Sequence, residues 1–278
     1  MDKSFVFSGN RIEVFKRIIS LNLNVVSVLA VKNSYLHNYL VEINYRNFRV
    51  IDSKSQLIKI LELLDFDIFI ANGLPFILPI SELKSGNSKR FINIHPSFLP
   101  DLKGADPIPG SLLFKRNAGA TCHEMDDGID TGSIISQFEI EFDYNFDCSL
   151  LYLLCFKAEV IVFESALKNN FLIQTIQVDE AGLIYYSFKE EDRFVNESDD
   201  VDMLLNKVRA FSNKSKGAII KIENQTFLVY QANIIKSKSL SKLFPLMKPF
   251  SKLLSYDNKV LVNWNNYLVK FSEYKLLE

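Results

Sequence analysis

Short β-branched, apolar runs alternate with helix-spaced segments through the first half of the chain, and this alternation limits the fold more than any other feature. Residues 4–8 (SFVFS) form a β-rich run, Gly9 and Asn10 a turn, and Ile12, Phe15, Ile18 and Ile19 then recur at helical spacing. Residues 25–31 are apolar and rich in valine, as expected of a strand buried on both faces. Residues 55–64 predict a helix with Leu57, Ile60, Leu61 and Leu64 on one face, and residues 67–71 (DIFIA) and 90–95 (RFINIH) predict two more strands. Such alternation predicts an α/β architecture, a parallel sheet with crossover helices. Ligands of these sheets bind beyond the carboxyl ends of the strands. His95 falls at one such end, and Asn72 and Gly73 at another.

The texture changes further on. Residues 149–169 predict a long helix with Ser149 as N-cap, residues 183–188 a short apolar strand, and residues 199–211 an amphipathic helix with acidic residues in its first turn. Residues 212–216 are polar and linker-like, and from Ala218 onward strands dominate, with hairpin turns at Asn224-Gln225 and Asn265-Asn266. The expected division is a larger α/β domain over residues 1–195 and a small β-rich accessory domain over residues 196–278, beginning with the helix at 199–211.

Composition removes several classes of function. The 278 residues carry 32 Lys+Arg against 33 Asp+Glu, a formal net charge of −1, which argues against a surface built throughout for nucleic acid. The cysteines Cys122, Cys148 and Cys155 form no CxxC pair, and with only three histidines beside them they predict no zinc site and no other metal. So sparse a cysteine set suits a reducing cytoplasm better than a disulfide-stapled exported domain. The chain start lacks a signal-peptide run, and the best apolar stretch, IISLNLNVVSVLAV, is broken by Asn22 and Asn24 and is too short to span a bilayer. The expectation is a soluble cytoplasmic protein.

The chemistry concentrates in residues 91–135. Asn93 and His95 stand two apart at a strand end, so alternation puts both on one face of the sheet. Pro96 and Pro100 then turn the chain out of the strand. From spacing alone, this pair equally suits an Asn and a His that satisfy local backbone groups. Downstream, MDDGIDTG places Asp126, Asp127 and Asp130 around Gly128 and Gly132, glycines that permit close approach of a planar ligand. An acidic turn capping a helix would look similar, and the spacing is not that of an EF-hand.

Together, INIHPSFLP…KGADPI and GATCHEMDDGIDTG closely resemble the catalytic signature of the folate-dependent formyltransferase family, and the chain looks most like its sugar-nucleotide N-formyltransferase branch. The strong likeness covers about 45 residues, and weaker likeness reaches about residue 223. The resemblance implies a Rossmann-like catalytic domain, an OB-like or hairpin-like C-terminal domain, and N10-formyltetrahydrofolate as co-substrate without a metal. It implies a catalytic trio on Asn93, His95 and Asp130. The Asn amide would donate to the oxyanion, the imidazole would handle the proton, and the carboxylate would orient the imidazole. It also implies that the folate lies between ANGLPFILP at 71–79 and the loop at 125–132, against Asn72, Gly73, Leu74, Phe76, Ile77, Met125, Asp126, Gly128 and Ile129, held mainly by backbone. His37 is expected to pack or to be solvated, and His123 to have a supporting or structural role.

Three acceptors compete for the formyl group. A catalytic domain alone would suit glycinamide ribonucleotide, and the extra β-rich segment argues against it. Methionyl-tRNA formylation requires many phosphate contacts. The cluster Lys236, Lys238, Lys242, Lys248 and Lys252 is the best argument for RNA, its plain alternative being a solvated connector. GLIYYSFKEEDRF at 182–194 and the compact C-terminal segment resemble sugar-nucleotide N-formyltransferases, which pair as dimers. The expected substrate is thus a nucleotide-linked amino-dideoxysugar for bacterial surface polysaccharide (O-antigen), with homodimerisation through the C-terminal region and with no membrane and no nucleic acid partner. Asn10 and Arg11 at the first strand–helix turn, with Ser97, Lys103 and Tyr185, are the candidate acceptor contacts. Methionyl-tRNA formylation is the first alternative, and hydrolysis of 10-formyltetrahydrofolate the second.

Overall fold

Alternation along the first strand already needs two cores. In β1 (Ser4–Gly9), Phe5 and Phe7 point to one face of the sheet and Val6 to the other, and all three are buried. In the computed structural model, which describes residues 3–277 except 87, 179, 238 and 245–247, each face is covered. On one side Phe5 and Phe7 join Val14, Phe15, Ile18, Val162 and Phe163. On the other Val6 joins Leu29, Leu57, Leu61, Phe69 and Phe91.

The first compact unit comprises Met1–Gly104, Ala118–Ile140 and Leu153–Tyr185. Its sheet adds β2 (Asn24–Val31), β3 (Phe48–Ile51), β4 (Ile68–Asn72), β5 (Arg90–His95), β6 (Ala118–Glu124) and β7 (Ile134–Ile140) to β1. The strand order is β3-β2-β1-β4-β5-β6-β7. Pairing is parallel from β3 to β5 and antiparallel from β5 through β6 to β7. The crossovers are α1 (Glu13–Ser20), α2 (Tyr35–Glu42), α3 (Lys54–Leu63) and α4 (Ile80–Lys84). From β1 the chain winds outward to β2 and β3 and then returns to β4 and β5 on the other side. This is the reversal beside which α/β sheets bind ligands. At that point Gly9 has φ +153°, and a Cβ there would lie 2.0 Å from the Asn72 carbonyl oxygen, so β1 and β4 can close only over glycine.

The second unit comprises Ala105–Asn117, Glu141–Tyr152 and Tyr186–Glu278. The units interleave along the chain, whereas the sequence reading draws a contiguous boundary after residue 195. This unit holds α5 (Pro107–Phe114), the first residues of α6 (Cys148–Lys168), and α7 (Val201–Ala210). It also holds a six-stranded, mainly antiparallel sheet: β8 (Phe194–Val195), β9 (Ala218–Ile222), β10 (Gln225–Ile234), β11 (Ser251–Tyr256), β12 (Lys259–Trp264) and β13 (Tyr267–Leu277). Leu204 and Val208 of α7 pack with Phe227, Trp264 and Phe271, and the Trp264 indole donates to the Asp199 carbonyl at 2.9 Å.

Several local expectations change. Asp147, not Ser149, caps α6, its carboxylate accepting from the Leu150 amide at 2.8 Å; Ser149 lies inside the helix. Residues 183–188 form an isolated bridge rather than a strand, because their amides go to Asp101 and Asp106 side chains instead of a ladder. The expected turn at Asn265-Asn266 is present with both residues at positive φ, and a second such pair, Asp257-Asn258, joins β11 to β12. The first hairpin turns one residue earlier than expected, at Glu223-Asn224. Of the lysine cluster, Lys252 donates to Gln225, and Lys238 lies outside the described residues. Among the described residues no helix is long and apolar enough to cross a membrane.

Gly9→Ala should destabilise the first unit by about 1–3 kcal/mol through overpacking against the Asn72 carbonyl. Urea unfolding checks this, and an unchanged midpoint would mean that β1 and β4 separate freely.

Candidate active site

β5 ends in Asn93 and His95, and its antiparallel partner β6 sets His123 directly across from Asn93. The loop after β6 returns Asp130 to the same place at φ +55°, a left-handed conformation uncommon for a residue with a side chain. Four groups converge there. The Asn93 amide nitrogen lies 3.2 Å from Asp130 Oδ1 and 3.2 Å from His123 Nε2. His95 Nδ1 lies 3.5 Å from Asp130 Oδ2, and the Gly104 amide donates to that oxygen at 3.0 Å. The Asp130 side chain is about nine-tenths buried and that of His95 more so.

The neighbours assign the protons. His123 Nδ1 faces the Glu124 carbonyl oxygen at 2.7 Å, so it carries a hydrogen and leaves Nε2 to accept from Asn93. His95 Nε2 faces the Leu102 carbonyl oxygen at 3.0 Å, so the neutral ring carries its hydrogen there and leaves Nδ1 open toward Asp130. The two imidazoles thus hold opposite tautomers. Burial pulls His95 below the usual histidine range, and the Asp130 charge and the Leu102 carbonyl oppose that pull. For Asp130 burial works upward, yet the charge His95 carries at acidic pH and the Gly104 amide hold the carboxyl well below the usual carboxylate range. The site can therefore keep an anion in a dry place, beside a neutral base whose conjugate acid that anion stabilises.

The loop between His95 and Gly104 is locked from within. Ser97 Oγ donates to the Asp101 carbonyl at 3.0 Å, and Asp101 Oδ1 accepts from the amides of Leu102 and Ile184. Leu102, which supplies the carbonyl to His95, is itself left-handed at φ +57°. Of the expected acceptor contacts, Lys103 and Tyr185 form a bridge next to this loop, with Tyr185 57 % exposed. The polar groups of the other three are engaged inside the fold. Ser97 holds its loop, Asn10 Oδ1 accepts from the Tyr35 amide at 3.0 Å, and Arg11 pairs with Glu159 while lying over the Phe156 ring.

The two loops expected to hold folate are neighbours. Leu74, Phe76 and Met125 pack on the same apolar cluster, and the Ser81 amide donates to Asp127 Oδ1 at 3.1 Å. Ile77 and Ile129 remain exposed. Asp126 shapes its own turn, accepting from the Gly128 amide at 3.1 Å and from Thr131 Oγ1 at 2.6 Å. A Cβ on Gly128 would meet that threonine hydroxyl at 2.1 Å. The side chain of Asn72 is buried, bonded to the Ile94 carbonyl. Gly73, at φ +70°, lies against the Arg11 side chain. Sequence reasoning placed His123 in a supporting role without locating it, because only the β5–β6 register sets it opposite Asn93. His37, in α2, accepts from the Asn33 amide at 3.1 Å and packs near Phe48. Among the described residues no group of three or more His, Cys, Asp or Glu is arranged to hold a metal.

Nitrogen-15 NMR at alkaline pH should find His95 protonated at Nε2 and His123 at Nδ1. Identical tautomers would contradict this hydrogen-bond assignment.

Comparison with known proteins places these observations. A family model described as formyl transferase matches residues 26–167, about half of the chain. The methionyl-tRNA formyltransferase of Campylobacter curvus is 30% identical over 121 residues, 43% of this chain and 40% of that protein. The chain spans about half or less of the length of the first curated relatives it matches. In fold it is similar to a sugar 3N-formyl transferase solved with dTDP and 5-N-formyl-THF (TM-score 0.74, 18% identity, covering 100% of this chain and 99% of that one). It is also similar to an N-formyltransferase from Helicobacter canadensis solved with folinic acid and dTDP-3-aminofucose (TM-score 0.72, 18% identity, 98% and 99%). Asn93, His95 and Asp130 all lie inside the span that the family model matches, and the chain belongs to the formyl transferase family.

Proposed function

We propose that this protein transfers a formyl group from N10-formyltetrahydrofolate to the amine of a nucleotide-linked amino-dideoxysugar. The observation that carries the reading is the buried convergence of Asn93, His95 and Asp130 at the carboxyl end of β5. These types suit amine formylation. His95 Nδ1 is open to take the proton that the attacking amine must lose, and Asp130 stabilises the imidazolium so formed. Asn93 is placed to donate to the oxyanion, for which it gives up one of its present bonds, to Asp130 or to His123. The folate co-substrate supplies the activated formyl group: as the tetrahedral intermediate collapses, the bond between the formyl carbon and N10 breaks, and tetrahydrofolate leaves with N10 taking the proton that the amine lost. The apolar group of Leu74, Phe76 and Met125, flanked by exposed Ile77 and Ile129, fits the flat ring of such a molecule beside main-chain donors and acceptors.

For the acceptor, the support is coverage. The likeness to the sugar 3N-formyl transferase and to the Helicobacter canadensis enzyme extends over nearly the whole of both chains, whereas the methionyl-tRNA formyltransferases match over only part of theirs. The near-neutral charge points the same way, since a diphosphate needs a cation or two and a tRNA many. The curated relatives keep methionyl-tRNA as the second reading. Supply of surface polysaccharide, work in the cytoplasm and pairing through the C-terminal region belong to the same proposal.

Amino-sugar nucleotides such as dTDP-linked 3-amino- or 4-amino-dideoxyhexoses should accept formyl from N10-formyltetrahydrofolate, and charged initiator tRNA should be a poor acceptor. Replacing Lys236, Lys238 and Lys242 together by Gln should hardly alter that turnover. Efficient tRNA formylation, lost in the Gln variant, would favour the second reading, and folate turnover without any acceptor would favour hydrolysis.

His95→Ala or Asn93→Ala should lower kcat by roughly 10²-fold or more. Asp130→Asn removes the charge that raises the His95 pKa, so the histidine limb of the pH–rate profile should move to lower pH as activity falls. Near-normal turnover in His95→Ala would overturn the mechanism.

A further inference from the structure

Asp130 faces His95 from a left-handed backbone, and a side chain from outside both signature motifs bonds to that turn. After α6 the chain runs back beside the start of β7. The Ile134 amide donates to the Thr175 carbonyl at 2.8 Å, and the Gln174 amide to the Ile134 carbonyl at 2.8 Å. This anchored segment delivers the Gln177 side chain to the inner side of the turn. Its Nε2 donates to the Asp130 carbonyl at 2.9 Å and to the Gly132 carbonyl at 2.7 Å. One amide nitrogen thus spends both hydrogens on the two carbonyls that bracket Thr131, while Thr131 is tied on its other side to Asp126 at 2.6 Å. The amide cannot be reversed, since its oxygen would then face two carbonyl oxygens. A Cβ at Gly132 would lie 1.9 Å from the Glu124 carbonyl oxygen, so the turn has no room to drift toward β6.

We propose that Gln177 is a positioning residue for formyl transfer, its side-chain amide clamping the turn 130–132 so that the Asp130 carboxylate stays aimed at His95 and Asn93. The inference rests on the proposed role of that trio. It differs from a purely structural account in one respect. Backbone bonds at Ile134, Gln174 and Thr175 already anchor the segment, so the Gln177 side chain is needed for the aim of the carboxylate and not for the fold.

The test uses the full chain and four variants. Gln177→Ala removes the clamp, and Gln177→Glu keeps its size while replacing the donor with an acceptor. Gln174→Ala is the control, because that side chain only reaches the Leu172 carbonyl at 3.4 Å. Asp130→Asn reports on the underlying reading. In both Gln177 variants kcat should fall roughly 10-fold or more, the scale of a modest misplacement, with KM for N10-formyltetrahydrofolate nearly unchanged. In Gln177→Ala, which adds no charge, the His95 titration followed by NMR should move to lower pH by about half a unit or more, because a loosened Asp130 supports the imidazolium less. Thermal unfolding should change little, and Gln174→Ala should behave as the parent. Parental kcat and an unmoved His95 titration in Gln177→Ala would overturn the inference while an inactive Asp130→Asn left the trio standing. Loss of activity that merely tracks a lower Tm, with the titration unmoved in Gln177→Ala, would also overturn it. A fully active Asp130→Asn would take the trio and this inference down together.

Discussion

A carboxylate removed from water is costly unless charge and hydrogen bonds replace its hydration. Asp130 meets that demand with partners drawn from separate parts of the chain: hydrogen bonds from the Asn93 and Gly104 amides, and the charge of the His95 ring once it is protonated. None of these is near it in sequence. The site exists only when β5, β6 and two loops are all in place, so the geometry of the sheet and the ionisation of one acid depend on each other.

The same demand explains the apparent excess of order around the site. Leu102 and Asp130 both adopt backbone conformations that cost energy for residues with side chains, and each is fixed by neighbours that have no chemistry of their own. Asp101 fastens the loop that carries Leu102, and Gln177 fastens the turn that carries Asp130. Strain held in this way keeps polar groups aimed before any ligand arrives, which lowers the reorganisation that a reaction would otherwise require.

A second buried ionic group lies under the ends of β1 and β4. Glu159 is fully buried within the apolar helix α6, and burial pushes its carboxyl up to about 7 against the pull of Arg11 and Asn72. Among the described residues its Oε2 and the Asn72 Oδ1 have no hydrogen-bond partner. The guanidinium that answers Glu159 also lies over Phe156 and against Gly73. Arg11 therefore ties the first strand–helix turn to α6 and to the 72–79 loop.

What the sequence determined by itself is local or periodic. Period-two and period-3.6 patterns placed β1, β2, α1, α3, β4 and β5 to within a residue or two, and paired asparagines marked a hairpin turn. Alternation alone put Asn93 and His95 on one face of a strand, but joining them to Asp130 rested on the resemblance of the two motifs to the formyltransferase signature. Only the tertiary structure decided the rest. β6 and β7 run antiparallel, which sets His123 opposite Asn93, and no spacing in a single chain encodes the partner of a strand. Arg11 stands at the first strand–helix turn in the sequence, and only the fold pairs it with Glu159, 148 residues away. Gln177 has no motif at all. Its importance arises because a side-chain amide can bond any two carbonyls within reach, and reach is a property of the folded chain.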